Sequence, residues 1–343
     1  MKILVGISGG VDSAYAALKL KNEGHDVAGA VLVMHDYTEL DAAREVAESV
    51  GISLYEIDCR ERFEQIKENF VSEYVKARTP NPCIICNERV KFRTLYDFAM
   101  QNGFDKIATG HYASITLDST TGRYAFTTPK DTAKDQTYML YRLPQEIMSC
   151  LVLPLSALTK SQIRENAQKS GLSVANRADS QEICFLPEGN HTEYIEMKAG
   201  KCPDGNFIDD DGKILGRHKG IIHYTVGQRK GLGISLGERA FVTNINPVKN
   251  TVTLSPSNVG TTKLYLTDMV YSGIPEPTER GEIEVMAKIR YTARPAKARA
   301  ELLPDKTAIL TFDSPQKCAP GQSAVLYGND LVLCGGFISL SDD

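Results

Sequence analysis

Apolar runs alternate with amphipathic stretches over the first half of the chain. Residues 3–6 and 27–34 form uninterrupted apolar runs, which are typical of strands buried on both faces of a parallel sheet. Residues 39–50 and 61–77 instead place apolar side chains at helical spacing. Alternating strands and helices predict an α/β fold with a doubly wound parallel sheet. Further strands are predicted at 52–58 and 106–109, and further helices at 13–23 and 161–170. Another helix is predicted after the turn with Pro80 and Pro82, and it ends at about residue 102.

The pattern changes after about residue 195. The last helix signal is the stretch 161–170, where Thr159 and Gln162 have the spacing of a capping box and Gly171 is a stop signal. Beyond it, short stretches rich in β-branched residues and tyrosine are separated by turn signals such as Asp211-Gly212. This region is predicted to be all-β, either as one unit or as two small barrels divided near residues 270–280.

Composition places the chain among soluble globular proteins. It has 343 residues, of which 42% are hydrophobic and 24% charged, and this excludes disordered and fibrous classes. Such a length predicts about two or three domains. The apolar run 27–34 is far shorter than the roughly 20 residues that span a membrane, and residues 1–6 lack a signal-peptide core. We therefore expect a cytoplasmic protein without a membrane partner.

The net charge of -4 hides two basic strips that contain no Asp or Glu. The first basic strip spans residues 212–237 and the second spans residues 285–300. Either strip alone fits a solvated face equally well, but two of them in an acidic protein favour a polyanionic partner. Their cations are Lys213, Arg217, Lys219, Arg229 and Lys230 in the first strip and Lys288, Arg290, Arg294, Lys297 and Arg299 in the second.

The chain has eight cysteines, and in a cytoplasmic protein structural disulfides are not expected. Cys83 and Cys86 form a close pair, for which metal or redox chemistry is the better expectation. The cysteines that are isolated in sequence are predicted to be mostly buried small hydrophobes. They are Cys59, Cys150, Cys202, Cys318 and Cys334.

A glycine-rich loop connects the first strand to the first helix. Its glycines let the backbone approach a phosphate, and the helix N-terminus supplies free N–H groups. The loop has neither a Walker-type lysine nor the dinucleotide fingerprint. It resembles the pyrophosphatase loop of the adenine-nucleotide alpha hydrolases, which cleave ATP between the α and β phosphates and attach AMP to a carbonyl oxygen. The loop residues are Gly6, Ile7, Ser8, Gly9, Gly10, Val11, Asp12 and Ser13.

The loop alone does not show which molecule accepts the AMP group, and further sequence blocks narrow this choice. Taken together and in order, they resemble the bacterial tRNA-specific 2-thiouridylase family over essentially the full chain. The resemblance implies a nucleotide-binding and catalytic domain of the PP-loop ATPase type over 1–195, a small central β domain over 196–272, and a C-terminal β-barrel over 273–343 that contacts tRNA. The blocks are Arg78 to Asn87, Thr109 to Tyr112, Lys134 to Tyr138, Asp179 to Phe185 and Gly227 to Leu232.

The resemblance also implies an activity and a role for each matching residue. The family uses ATP to replace the 2-carbonyl oxygen of the wobble uridine in tRNAs for Lys, Glu and Gln, and its sulfur comes from a cysteine desulfurase or a relay carrier. Cys86 matches the nucleophile and Cys184 the persulfide carrier, and the two form a transient disulfide. Asp12 is expected to organise Mg²⁺ and pyrophosphate. The implied contacts are Gly6 to Ser13, Met34 and Gly110 for ATP, Asn81, Pro82 and Cys83 for the target base, and His111, Lys134, Asp135, Gln136, Arg290, Tyr291 and Gln322 for tRNA.

The chain departs from the family pattern at Cys83, where many members have Asp. With Cys86 and Cys184 this residue supplies three thiolates, which would suit a [4Fe-4S] cluster that carries sulfide, a zinc ion, or a redox pair. The segment between Met34 and Glu39 is also short for the family. We expect the persulfide route, because the matched residues support it without any metal cofactor.

Two other functions remain open at the level of sequence. One is a sensor or carrier that binds ATP and sulfur without catalysis, against which Asp12, Cys86 and Cys184 all argue. The other is an amidotransferase-type synthetase, for which no cysteine follows Met1 and no glutaminase-sized domain is present.

Overall fold

The computed structural model describes residues 1–177, 183–186, 191–234, 237, 239–257 and 259–339. The strands are β1 Lys2–Gly6, β2 Asp26–Val33, β3 Leu54–Asp58, β4 Lys106–Ala108, β5 Ser114–Asp118, β6 Arg123–Thr127, β7 Leu151–Val152, β8 Gly205–Ile208, β9 Ile214–His218, β10 Phe241–Asn246, β11 Thr251–Ser255, β12 Thr261–Tyr271, β13 Gly281–Lys288, β14 Ala296–Leu302, β15 Ala308–Gln316, β16 Ser323–Gly328 and β17 Leu331–Ser339. The helices are α1 Val11–Asn22, α2 Leu40–Val50, α3 Arg60–Val75, α4 Pro82–Cys86, α5 Phe92–Gln101, α6 Thr137–Leu140, α7 Gln145–Cys150, α8 Lys160–Lys169 and α9 His191–Ala199, and a π-helical turn, Asn87–Lys91, joins α4 to α5.

The first sheet confirms the predicted doubly wound fold. Its strand order is β3-β2-β1-β4-β7, and each pairing is parallel. Side chains of β1 alternate between two cores, because successive residues of a strand point to opposite faces. Ile3 and Val5 pack with α1, α2 and α8, whereas Leu4 packs with α5 and α7.

The chain order places a topological switch point between β1 and β4. From β1 the sheet grows through β2 to β3 on one side, and β4 then adds on the other side of β1. Loops at the carboxyl ends of two such strands diverge and leave a crevice, which is the usual ligand site of this fold. The glycine-rich loop after Gly6 and the segment that starts at Thr109 therefore face each other.

A smaller sheet of order β10-β11-β8-β9 follows the α/β domain. Its core contains Phe207, Val242 and Val252 and packs against Phe70 of α3 and Ile195 of α9. The long helix α3 thus has one end in the α/β domain and an apolar side against the central unit.

The C-terminal strands close into a barrel. Strands β12, β15, β14, β13, β16 and β17 are hydrogen-bonded in that order, and pairing of β12 with β17 closes the ring. Because β12 is part of the ring, the barrel begins at Thr261 and not at the predicted boundary of 273. The pairing of β12 with β17 shifts register between Thr267 and Val270, and Asp268 has a φ of 51°. This irregular middle hides a long strand from a period-two pattern.

The barrel is joined to the α/β domain through buried polar contacts. The Tyr138 hydroxyl donates to the Ser323 carbonyl at 2.8 Å, and the Tyr141 hydroxyl lies 3.0 Å from the Ser323 hydroxyl. The Arg142 guanidinium, only 4% exposed, bonds Glu88 at 2.8 Å and Asp268 at 2.9 Å. These contacts fix the barrel against the segment that carries Cys86.

Candidate active site

A cavity of about 740 Å³ lies at the switch point of the parallel sheet. Its lining includes residues of the glycine-rich loop together with Cys184 and its neighbours Ile183 and Leu186. Of the predicted ATP-binding residues the lining contains Gly6, Ile7, Ser8, Asp12, Ser13, Met34 and Gly110. The cavity thus brings together the sequence block of the phosphate loop and a cysteine more than half the chain away.

Hydrogen bonds within the glycine-rich loop fix its shape. The Ser13 hydroxyl donates to the Gly10 carbonyl at 3.0 Å and accepts from the Ser8 backbone N–H at 3.1 Å. Ser13 is buried, so its hydroxyl holds the loop together. Gly9 has a φ of 77°, a left-handed conformation that favours glycine. Val11 packs in the core and does not line the cavity.

Gly110 allows the second segment to approach the loop closely. A Cβ atom at Gly110 would lie 2.8 Å from both the Asp12 carbonyl carbon and the Ser13 nitrogen. No side chain fits at that distance, which explains why glycine stands at this position in the Thr109 to Tyr112 block.

Asp12 is bound by two residues that the sequence analysis missed. The Lys160 ammonium donates to both Asp12 carboxylate oxygens, at 2.8 and 2.7 Å, and the Tyr112 hydroxyl donates to one of them at 2.7 Å. Lys160 is the first residue of α8, which Thr159 and Gln162 start with the predicted capping box. A lysine from α8 therefore supplies the positive charge that the loop sequence lacks. No local pattern signals this contact, because Lys160 and Asp12 are far apart along the chain.

The close cysteine pair lies on a short helix and the π-helical turn that follows it. The Asn81 side chain accepts a hydrogen bond from the Cys83 N–H at 3.2 Å and caps α4, with Pro82 at the first helical position. Cys86 ends α4 and is buried among Cys59, Phe63 and Val90. The π-helical turn begins directly after Cys86, and such turns are frequent at functional sites.

Cys184 reaches the cavity from a segment anchored by its neighbour. Cys184 itself is exposed, whereas the ring of Phe185 packs edge-on against Phe63 and Phe70 at 5.7 and 5.3 Å between centroids. Of the predicted block Asp179 to Phe185, residues 179–182 lie outside the described residues. All eight cysteines are free thiols, and Cys86 and Cys184 are not joined in this structure.

The thiols act on one another electrostatically. Burial raises the pKa of Cys86 to about 12, while the positive charge of Lys91 opposes this shift and the charges of Cys184 and Cys83 add to it. Although Cys184 is exposed as a residue, the protein atoms around its thiol displace water and raise its pKa, and the charge of Lys91 again opposes this shift. In this state both thiols are protonated at neutral pH, and only a thiolate is a nucleophile. Sulfur chemistry here therefore needs a positive charge close by.

Lys91 is a third site residue that the sequence analysis missed. It ends the π-helical turn and lines the cavity together with Cys184 and His111. Burial lowers its pKa, but the facing thiols of Cys86, Cys83 and Cys184 raise it, and the net pKa lies above its ordinary value. Lys91 is therefore a charged ammonium group.

His111 lines the cavity as a neutral side chain. Its Nδ1 lies 2.9 Å from the Thr109 hydroxyl, and its ring packs on Phe92 at 5.2 Å between centroids. Burial, together with the charge of Lys91, lowers the pKa of His111 to about 3. His111 can therefore contact a nucleic acid by stacking or hydrogen bonding, but not as a cation.

The remaining residues predicted to contact tRNA lie outside the cavity lining, except Gln136. The Gln136 side chain accepts a hydrogen bond from the Tyr112 N–H at 2.8 Å, and so links the Lys134 to Tyr138 block to the partner of Asp12. The Gln322 amide of the barrel donates to the Thr79 carbonyl at 2.6 Å, close in sequence to Asn81 and the segment predicted to bind the target base.

A second group of residues predicted to contact tRNA lies around Lys288 of the barrel. The Lys288 ammonium lies 5.4 Å from the Tyr291 ring and 5.8 Å from the Tyr138 ring, and Asp135 acts on its charge. Arg290 is exposed beside this group. Lys134, Asp135, Arg290 and Tyr291 thus lie near the junction of the two domains and do not line the cavity at the switch point.

The cysteines do not form a metal site in this structure. Over the described ranges, which include Cys83, Cys86 and Cys184, no three His, Cys, Asp or Glu side chains converge closely enough to hold a metal ion. Similarly, no helix among the described residues is long and apolar enough to span a membrane.

Comparison with known proteins assigns a family model to each part of the chain. Residues 1–188 match the tRNA methyl transferase HUP domain, residues 192–256 the tRNA methyl transferase PRC-barrel domain, and residues 261–338 the aminomethyltransferase beta-barrel domain. The third match begins at the first residue of β12, in agreement with the closed ring.

Curated relatives match the chain along almost its whole length. A protein named tRNA-specific 2-thiouridylase MnmA from Clostridium perfringens (strain 13 / Type A) is 44% identical over 355 residues, which cover 98% of each chain. Proteins of the same name from Clostridioides difficile (strain 630) and Caldicellulosiruptor saccharolyticus are 41% and 42% identical, and the matches cover 99% and 98% of this chain and 98% of each relative.

Proposed function

This chain belongs to the tRNA-specific 2-thiouridylase family, and we propose that it replaces the 2-carbonyl oxygen of a wobble uridine in tRNA with sulfur at the expense of ATP. The observation that carries the proposal is the shared cavity, because Cys184 lines the same space as the phosphate loop. A phosphate loop alone would fit many ligases. A loop and a redox-competent cysteine in one cavity fit a reaction in which sulfur displaces an adenylated oxygen.

In the first step the uridine O2 atom attacks the α-phosphorus of ATP. The bond between the α-phosphorus and the bridging oxygen breaks, N3 of the base releases its proton, and pyrophosphate leaves. Backbone N–H groups of the glycine-rich loop at the start of α1 stabilise the phosphates. When Mg²⁺ is bound it neutralises phosphate charge, and the Asp12 carboxylate is the residue that would hold it.

In the second step sulfur replaces the activated oxygen. The terminal sulfur of a Cys184 persulfide, supplied by a cysteine desulfurase or a relay protein, attacks C2, and AMP leaves with the oxygen. The Cys86 thiolate then attacks the Sγ atom of Cys184. The bond between this Sγ atom and the sulfur attached to C2 breaks, and 2-thiouridine is released. The two cysteines are left as a disulfide, which a cellular thiol reductant opens before the next cycle.

Nucleoside analysis of a defined reaction tests this proposal. The purified protein is incubated with ATP, Mg²⁺, an unmodified transcript of tRNA for Lys, Glu or Gln, and a persulfide donor. We expect wobble 2-thiouridine by mass spectrometry, together with AMP and pyrophosphate in equal amounts. Formation of ADP and phosphate, or a tRNA that stays unmodified, would contradict the proposal.

Cysteine variants test the assignment of the sulfur carriers. Cys86→Ser and Cys184→Ser are expected to abolish thiolation, whereas Cys150→Ser, which changes a buried cysteine of α7, is expected to keep it. Cys83→Asp restores the commoner family residue and is expected to keep most of the activity. Iron and labile sulfide that are stoichiometric in anaerobically purified protein and necessary for turnover would instead favour the cluster route.

A further inference from the structure

The π-helical turn aligns Lys91 with Cys86. In an α-helix of 3.6 residues per turn, positions five apart point about 140° away from each other. In a π-helix each N–H instead bonds the carbonyl five residues earlier, so residues at that spacing share a face. The Phe92 N–H donates in this way to the Asn87 carbonyl. The turn therefore brings Lys91 to the face on which Cys86 lies.

Lys91 is a cation without a carboxylate partner. Among the described residues no Asp or Glu forms an ion pair with it, and its charge instead acts on the thiols of Cys86, Cys83 and Cys184 and on the His111 ring. Burial of an ammonium group without an anionic partner is costly. Lys91 is partly buried, and a partly buried charge that lines a cavity is a frequent mark of a functional site.

The other lysine close to the cavity is differently placed. The Lys160 ammonium is held by both oxygens of Asp12, at 2.7 and 2.8 Å, at the phosphate end. Among the described residues that line the cavity, Lys91 is the single lysine or arginine, and it shares that lining with the glycine-rich loop and Cys184. The negative charges of the sulfur-transfer step develop in this region: the persulfide anion, the Cys86 thiolate, and the phosphate of departing AMP.

We propose that Lys91 is a further catalytic residue, whose ammonium group stabilises the attacking sulfur anions and the departing AMP during sulfur transfer. The inference rests on the thiolation activity proposed above. A fixed positive charge in a partly enclosed site lowers the energy of developing negative charge without reorganisation during the step.

Matched lysine variants test this role. Lys91→Met keeps the length of the side chain and removes its charge, Lys91→Arg keeps a charge, and Lys106→Met changes a partly buried lysine on the sheet, which bonds the Ser149 carbonyl. The protein is first loaded with persulfide, and the reaction is started by adding ATP and tRNA. The rate of 2-thiouridine formation is then measured in a single turnover. Thermal melting of each variant is followed by circular dichroism.

We expect Lys91→Met to slow the single turnover by about 100-fold or more. Lys91→Arg is expected to recover at least about a tenth of the wild-type rate, and Lys106→Met to be close to wild type. Because Met needs no anionic partner, Lys91→Met is also expected to melt at the wild-type temperature or above.

Three outcomes separate this inference from the proposed function. A wild-type protein that forms no 2-thiouridine would contradict the proposed function itself. An active wild type and a Lys91→Met variant within about threefold of it would overturn only the role of Lys91. A Lys91→Met variant that melts well below wild type, with Lys91→Arg equally inactive, would show a structural role and would also overturn the inference.

Discussion

At the scale of single residues, Asp12 is the clearest case in which tertiary contacts change an expectation. The loop sequence presents Asp12 as an acid that faces a ligand. In the structure its carboxylate is bound by Lys160, which is 12% exposed, and by the Tyr112 hydroxyl. Removal of one member of such a pair leaves the other without its charge partner, so an effect on folding is expected besides the effect on activity.

We predict that Asp12→Ala abolishes thiolation and lowers the free energy of unfolding by about 1–3 kcal/mol. The double variant Asp12→Asn/Lys160→Met removes both charges, and it is expected to regain most of the stability while it stays inactive. Urea unfolding followed by circular dichroism measures the first effect, and nucleoside analysis the second. Equal losses of stability in the single and double variants would show that the ion pair does not stabilise the fold.

His111 makes stability depend on pH. Burial and the charge of Lys91 lower its pKa to about 3 from the ordinary 6.5. Below pH 6.5 the unfolded chain therefore binds a proton that the folded chain does not bind until the pH is near 3. The contribution of His111 to the free energy of unfolding is therefore fully present above pH 6.5. It is lost as the pH falls from 6.5 towards 3, by up to about 1.4 kcal/mol per pH unit for one such group.

We predict that the free energy of unfolding of His111→Asn falls less steeply than that of the wild type when the pH is lowered from 6.5 to 4. Asn keeps an acceptor for the Thr109 hydroxyl but takes up no proton. The pKa values of His35, His191 and His218 are also lowered by burial, so the difference between variant and wild type isolates His111. Urea unfolding at several pH values measures it, with His25→Asn as a control outside the cavity. Parallel curves for wild type and His111→Asn would contradict the assignment.

At the scale of elements, Arg142 connects three parts of the molecule. It follows α6, bonds Glu88 in the π-helical turn, and donates to both the side chain and the carbonyl of Asp268 in β12. Its guanidinium also lies 4.9 Å from the ring of Phe337 in β17. The segment next to Cys86 is thus positioned by the barrel, although the two are distant in sequence.

We predict that Arg142→Met lowers the free energy of unfolding by about 3 kcal/mol or more, because it leaves the largely buried Glu88 carboxylate with only the longer contact to the exposed Arg89, at 3.8 Å. Arg93→Met is the matched control. Its pair with Glu146 at 2.6 Å is more exposed, and its loss is expected to cost about 1 kcal/mol or less. Calorimetry or circular dichroism measures both, since the chain has no tryptophan. Equal effects of the two variants would show that the buried ion pairs of Arg142 do not stabilise the fold more than an exposed pair does.

Elements with a strong local signal were predictable, and those set by distant contacts were not. The capping box at Thr159 and the apolar strands of the parallel sheet are confirmed, because hydrophobic periodicity and caps are local properties. The π-helical turn after Cys86 carries no such signal. Lys91 and Lys160 were missed for the same reason, since the fold and not the local pattern brings them to the cavity.

At the scale of the whole molecule, the two basic strips differ once they are folded. The cations of the first strip are exposed on the central unit, and none of them pairs with a carboxylate in the described part of the chain. In the second strip Lys297 pairs with Glu284 at 3.2 Å and Arg299 lies 3.6 Å from Glu282. Acidic residues from the neighbouring strand thus compensate part of a strip that contains no acid in sequence. Arg290, exposed near Tyr291, remains a better candidate for phosphate contact.

We predict that tRNA binding weakens steeply with salt although the net charge is -4, because local cations release counterions when they contact phosphates. Arg290→Ala is expected to lower the affinity and to reduce the slope of log affinity against log salt by about one. Arg299→Ala is the matched control in the same basic strip, and a smaller change is expected because Glu282 already balances its charge. Filter binding or fluorescence anisotropy with labelled tRNA over a range of salt concentrations measures both slopes. If Arg290→Ala and the wild type have the same affinity and slope, Arg290 lies outside the tRNA interface, and the exposed cations of the central unit become the residues that account for the salt dependence.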